Sequence, residues 1–134
     1  MPFLSETYIW DKKTILIAED EDINYQFIEE LLAPTGARII RAENGVQAVE
    51  KACQNAEIDI VLMDIKMPEM NGIEATKRIK QNRPDLPVIA QTAYAFSDDR
   101  AKALKAGCDD YIAKPIQGDK LLQMVNSMLI KQHD

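Results

Sequence analysis

The stretch IDIVLMDIKMPEMNG, residues 58–72, decides the fold. Its first part, Ile58–Met63, is a short apolar run with almost no alternation, the pattern of a parallel strand buried on both faces. Asp64 follows the run directly, and Asn71-Gly72 then opens a helical period carried by Ile73, Thr76 and Ile79 that stops at Asn82-Arg83-Pro84. The same unit recurs on either side. Apolar runs stand at Thr14–Ala18 (TILIA), Ala37–Ile40 (ARII), Pro87–Ala90 (PVIA) and Asp110–Ala113 (DYIA). One helical pattern carries Ile23, Phe27, Ile28, Leu31 and Leu32 and ends before Pro34 and Gly36; the next starts at Gly45, with Val46, Val49, Ala52 and Cys53 on one face. A later one opens at Ser97, an N-cap, with Asp98 and Asp99 in its first turn, and stops at Gly107. The last carries Leu121, Leu122, Val125, Met128 and Leu129. Strict alternation of strand and helix predicts an α/β fold, an open, doubly wound five-stranded parallel sheet with helices on both faces. In such sheets ligands bind outside the carboxyl ends of the strands.

The 134 residues make one domain, and a 46% hydrophobic share is enough for one core. Sixteen Lys and Arg against 22 Asp and Glu give a net charge of -6, which argues against nucleic-acid binding. No apolar run approaches the roughly 20 residues of a membrane-spanning helix, and the start lacks the apolar segment of a signal peptide. Membrane insertion by this chain is therefore not expected. The two cysteines, Cys53 and Cys108, have no metal-ligand spacing and read as small core residues in a reducing cytosol. Residues 1–13 read as a lead-in or inter-domain linker, with Trp10 packing it against the domain. Residues 14–131 are the domain, and 132–134, with the lone histidine His133, are a tail.

The strand ends carry the chemistry. The first run ends in Glu19-Asp20-Glu21-Asp22, the third in Asp64, the fourth in Gln91-Thr92-Ala93 and the fifth in Lys114-Pro115. Carboxylates from two strands meet at one edge, where their repulsion calls for a cation; hard oxygen ligands of this kind suit Mg²⁺ (or Mn²⁺). Glu19, Asp20, Asp64 and Lys114 together carry a charge of -2, so one divalent ion neutralises the edge. With the ion present, an anionic phosphodonor can approach and a carboxylate can act as nucleophile, giving an aspartyl phosphate. Lys114 and the Thr92 hydroxyl stand ready to hold the transferring oxygens.

In order, Glu19-Asp20, Asp64, Thr92-Ala93 and Lys114-Pro115 make the chain resemble a response-regulator receiver domain of two-component signalling, over about residues 14–131. The resemblance implies a flavodoxin-like (βα)5 fold. It also implies that Asp20, Asp64 and the backbone carbonyl of Lys66 bind Mg²⁺, with Glu19 acting through a water. Asp64 would be phosphorylated by a phosphohistidine on a histidine kinase or a histidine phosphotransfer domain. Lys114 would bind the phosphoryl group, and the bond to Pro115 would be cis. Thr92 and Tyr111 would form the conformational switch, and Lys66 and Tyr94 would tune the phosphoryl lifetime. Such a domain catalyses its own phosphorylation and dephosphorylation without being a turnover enzyme. Asn24 within EDEDIN, and the lead-in YIWDKKT, resemble receivers of hybrid sensor histidine kinases; a free-standing phosphorelay receiver is the alternative. Expected with these are a cytoplasmic location and a monomer.

Blander readings compete. Glu19–Asp22 alone could be a solvated helix start, and Tyr111 plain sheet core. An FMN carrier of this topology would need a hydroxyl- and glycine-rich first loop, where EDED repels phosphate. An aspartyl-nucleophile phosphohydrolase would place a second acid two residues after Asp64, where Lys66 stands, leaving no evident general acid. A pseudo-receiver that only binds partners would have lost Asp64, Asp20 or Lys114, and all three are present.

Overall fold

The computed structural model describes residues 8–93 and 98–131. In chain order the elements are β1 (Thr14–Ala18), α1 (Asp22–Leu32), a 3-10 turn (Ala33–Thr35), β2 (Arg38–Ala42), α2 (Gly45–Gln54) and β3 (Ile60–Asp64). They continue with α3 (Gly72–Asn82), β4 (Val88–Thr92), α4 (Asp98–Ala106), β5 (Asp110–Ala113) and α5 (Gly118–Lys131). The strands form one five-stranded sheet in the order β2-β1-β3-β4-β5, every neighbouring pair parallel. The order reverses after β2, so β1 and β3 lie side by side and their carboxyl ends open onto a common crevice.

The unbroken apolar strands are explained by cover on both faces. Leu16, Ala18, Val61, Met63, Val88 and Ala90 pack with Ala48 and Ala52 of α2, Ala75 and Ile79 of α3, and Ala103 of α4. Ile15, Ile17, Ile60, Leu62, Ile89 and Ile112 face the other way, onto Ile28 and Leu32 of α1 and Leu121, Val125 and Leu129 of α5. Trp10, ahead of β1, joins this second cluster at 5% exposure. Its indole Nε1 donates to Asn126 Oδ1 at 3.2 Å, its amide donates to the Thr35 carbonyl at 2.7 Å, and Tyr8 stacks on its ring.

β1 and β5 match their apolar runs, whereas the strands at β2, β3 and β4 run further toward the carboxyl edge than the apolar runs do. Backbone pairing, not hydrophobicity, sets those ends: Arg41 pairs with Ile17, and Asp64 with Gln91. The buried face of α2 also differs from the expected one. It consists of Gly45, Ala48 and Ala52, while Val46 and Cys53 are exposed. Small residues win because α2 lies close against the β3–α3 connection: a Cβ at Gly45 would fall on the Met70 backbone carbonyl. Only Cys108 is the buried thiol expected, in contact with Thr76 Oγ1 at 3.6 Å. In α1 the apolar pattern divides, Ile28 and Leu32 facing in while Ile23 and Phe27 face out. Asn44 and Asn71 cap α2 and α3 by accepting from the amides of Gln47 and Glu74. The expected cap Ser97 and the tail residue His133 lie outside the described residues. No helix among the described residues is long and apolar enough to cross a membrane.

Candidate functional site

Three strand ends converge on Asp64. The residue ends β3 and is 4% exposed, held there because Ile65 N donates to the Gln91 carbonyl at 3.2 Å and Gly72 N to the Ile65 carbonyl at 2.7 Å. β1 delivers Glu19, fully buried, whose amide donates to the Ala42 carbonyl at 2.9 Å. Glu21 N in turn donates to Glu19 Oε2 at 3.2 Å. One oxygen from each of Glu19, Asp20 and Asp64 can lie within 4.8 Å of the others. From β5, Lys114 brings its Nζ to 3.3 Å from Asp64 Oδ1 and 3.5 Å from Glu19 Oε1. The Lys114 amide donates to the Thr92 carbonyl at 2.7 Å, and the Lys114–Pro115 peptide is cis, as the family resemblance implies.

Burial so close to other carboxylates sets the electrostatics. The Glu19 carboxyl is pushed up to about 7, by burial first and by the neighbouring Asp64 charge second. Burial also raises Asp64, although Lys114 works against it. Burial by itself would lower the Lys114 ammonium, but the charges of Asp64 and Glu19 outweigh it and hold it above its usual value. Glu19 Oε1 and Thr92 Oγ1 are buried without a hydrogen-bond partner. Three carboxylates, one of them retaining a proton to near neutrality and with one oxygen lacking a hydrogen bond, fit a hard divalent cation that would displace that proton. Asp64 would hold such an ion together with Asp20, Glu19 lying behind them.

The structure thus brings together Glu19, Asp20, Asp64, Thr92 and Lys114. Lys66 sits at the mouth, its side chain exposed and its amide donating to Asp64 Oδ1 at 3.3 Å. Tyr111 is half-buried on β5, with the Arg100 guanidinium carbon 4.6 Å from its ring centroid. Tyr94 lies outside the described residues. Two polar side chains beside the site had no role in the sequence reading, which placed Gln91 at a strand end and did not single out Arg41. Gln91 is buried with neither amide atom hydrogen-bonded, and lines a cleft of about 340 Å³ with Ile23, Asn24, Phe27, Pro115 and Ile116. Arg41, on β2, reaches across to the backbone of the acidic loop. Neither carries a sequence signal: one ends an apolar run, the other lies beyond one.

A family model described as "Response regulator receiver domain" matches residues 15–126. The polar-differentiation response regulator DivK of Brucella anthropi is 35% identical over 87% of this chain and 96% of its own length. Among solved structures, the receiver domain of sensor histidine kinase PA1611 from Pseudomonas aeruginosa, with magnesium coordinated in its active-site cleft, is 35% identical with a TM-score of 0.82. That likeness covers 87% of this chain and 97% of the other. The receiver domain of Saccharomyces cerevisiae Ssk1, crystallised with the histidine phosphotransfer protein Ypd1, appears in a structure matching with a TM-score of 0.84 and 28% identity. It covers 90% of this chain and 91% of the other.

Proposed function

Because the chain belongs to the response regulator receiver domain family of two-component signalling, we propose that its Asp64 accepts a phosphoryl group from a phosphohistidine and passes the signal on by a change of shape. The observation that carries this reading is the placing of Asp64, buried at a strand end between two further carboxylates and 3.3 Å from the Lys114 ammonium. A carboxylate oxygen of Asp64 forms the new bond to phosphorus while the bond from phosphorus to the imidazole nitrogen breaks, and the donor ring, carrying a proton on its other nitrogen, takes the bonding pair and leaves as neutral histidine. Lys114 neutralises one phosphoryl oxygen, and the unpartnered Thr92 hydroxyl and the Lys66 amide donate to others. Asp20, Asp64 and the Lys66 carbonyl would hold a Mg²⁺, with Glu19 behind them, and the ion would supply the charge that lets an anionic donor approach. Lys66 and Tyr94 tune how long the phosphoryl group survives.

Incubation with acetyl phosphate tests the assignment by intact mass. A phosphoryl adduct that requires both Mg²⁺ and Asp64, and is absent in Asp64→Asn, is the expected outcome. An adduct that persists in Asp64→Asn would overturn it. Thr92 couples the site to Tyr111: Thr92→Ala still takes the phosphoryl group but loses the phosphorylation-induced NMR shifts around Tyr111. Shifts identical to wild type would remove Thr92 from the switch.

The partner is a histidine kinase or a histidine phosphotransfer domain, approaching over α1, where Ile23 is 82% and Phe27 46% exposed beside the cleft at Gln91. We assign the domain to a hybrid sensor kinase, cytoplasmic and monomeric, on the EDEDIN motif and the likeness to the PA1611 receiver. The free-standing alternative is favoured by DivK, which the match covers nearly end to end.

A further inference from the structure

The acidic loop is tied down from the neighbouring strand by a single side chain. Arg41 stands on β2 opposite Ile17, one position before the paired Ala18 and Ala42. Its Nε and Nη2 donate to the Glu19 carbonyl at 3.2 and 3.0 Å, and Nη2 also donates to the Asp20 carbonyl at 3.3 Å. Its Nη1 meets Asp22 Oδ1 at 2.9 Å. The guanidinium also lies over the Tyr25 ring, its carbon 4.4 Å from the centroid. One planar fork therefore engages the loop backbone, the first residue of α1 and the next turn of that helix. Glu21, at the N-cap of α1, makes no side-chain cap hydrogen bond, so Arg41 supplies a restraint on the helix start that a cap would otherwise give.

We propose that Arg41 is a positioning residue for the metal, presenting the Glu19 and Asp20 carboxylates by fixing the two peptide carbonyls behind them. This rests on the reading of Glu19, Asp20 and Asp64 as the Mg²⁺ site. Arg41 touches no ligand oxygen of that cluster; its bonds go to the carbonyls of the residues that bear them. Without the fork, those peptides turn to water and the loop must be ordered when the ion binds. Second-layer partners of this kind change metal affinity by about 10- to 100-fold when lost.

The sign of the effect separates positioning from charge. Removing a guanidinium beside an acidic loop makes the loop more negative, and by Coulomb's law alone tightens binding of a cation. Loss of positioning weakens it. Lysine keeps the charge but cannot span two successive carbonyls, a carboxylate and a ring face with one ammonium.

The experiment is Mn²⁺ binding to the full chain, followed by the EPR signal of the free ion, for wild type, Arg41→Lys and Arg41→Gln, with circular dichroism confirming the fold. Both variants are expected to bind about tenfold more weakly than wild type. Their acetyl phosphate labelling, slow at low Mg²⁺, is expected to recover at saturating Mg²⁺. Unchanged affinity in Arg41→Lys with tighter binding in Arg41→Gln would show a charge effect only and overturn the proposal, as would a labelling defect that added Mg²⁺ does not restore. Should Arg41→Gln not fold, Arg41→Lys decides alone, since unchanged binding there is sufficient to overturn it. A wild type that binds no Mn²⁺ would remove the metal reading itself, and Arg41's role with it.

Discussion

Glu19 shows what the site costs before any ion arrives. Its carboxyl is fully buried beside Asp64, and in the folded chain it keeps its proton to about pH 7 against an ordinary value of 4.5. The unfolded chain releases that proton earlier, so between those two values the folded form binds more protons. Stability of the metal-free protein therefore falls as the pH climbs through this window. The urea midpoint is expected to be higher at about pH 5 than at about pH 8 without metal, and Glu19→Gln should shrink the difference. Mg²⁺ should stabilise more at the higher pH, where no proton competes with it. Equal midpoints in metal-free wild type would mean that Glu19 ionises freely inside the fold. At this scale the sequence was most legible where chemistry is written in residue type: Asp64 and Lys114 are charges set against apolar runs. It was silent on Gln91 and Arg41, since the direction of an amide or the reach of a guanidinium depends on which strands become neighbours.

Among the elements, close approach of backbone matters more than apolar content. α3 begins at Gly72, where a Cβ would strike the Asp64 carbonyl and lie 2.9 Å from Ile65 Cα. Both obstacles are backbone and cannot rotate away. Gly72→Ala is expected to cost about 1–3 kcal/mol by urea unfolding and also to lower acetyl phosphate labelling, because the strain falls on the residue that bears the acceptor. A stable, fully active Gly72→Ala would show that the α3 start can shift at no cost. The same geometry explains why the helical faces were only partly readable. Periodicity finds apolar residues without saying which way they face, and in α1 Ile28 and Leu32 turn inward while Ile23 and Phe27 point outward. In α2 it marked Val46, Val49, Ala52 and Cys53; Ala52 is buried and Val49 packs against the core in part, whereas Val46 and Cys53 are exposed and Gly45 and Ala48 complete the buried face. Element type and order were plain in the sequence; the packed face was decided by the neighbour's distance.

For the molecule as a whole, the two cores have different edges. The α2–α4 side is closed by residues of the sheet, its helices and the loops between them, Ile58, Ile65, Leu86 and Cys108 among these, whereas the α1–α5 side includes Trp10 from ahead of the first strand. Truncating that side chain empties a large buried volume, and Trp10→Ala should cost about 3–5 kcal/mol, a large share of the roughly 5–15 kcal/mol typical of a domain. Trp10→Phe should recover most of it, leaving a deficit of about 1 kcal/mol for the lost bond to Asn126. A Trp10→Ala protein as stable as wild type by circular dichroism melts would mean that the indole lies on the core and not in it. Alternation of strands and helices made a parallel, doubly wound sheet and its ligand-binding edge foreseeable from the chain, though not the order of the strands. The indole's partner, 116 positions away, was not foreseeable.

Trp10 is the chain's sole tryptophan, and it precedes the start of β1, while Glu19 follows its end. The strand between them spans roughly 15 Å. Tryptophan emission from this protein therefore watches the wrong end of the sheet: it dims or shifts as the α5 contact melts, and stays level while ions or phosphoryl groups come and go. A tryptophan signal from the acidic edge would have to come from an indole introduced there.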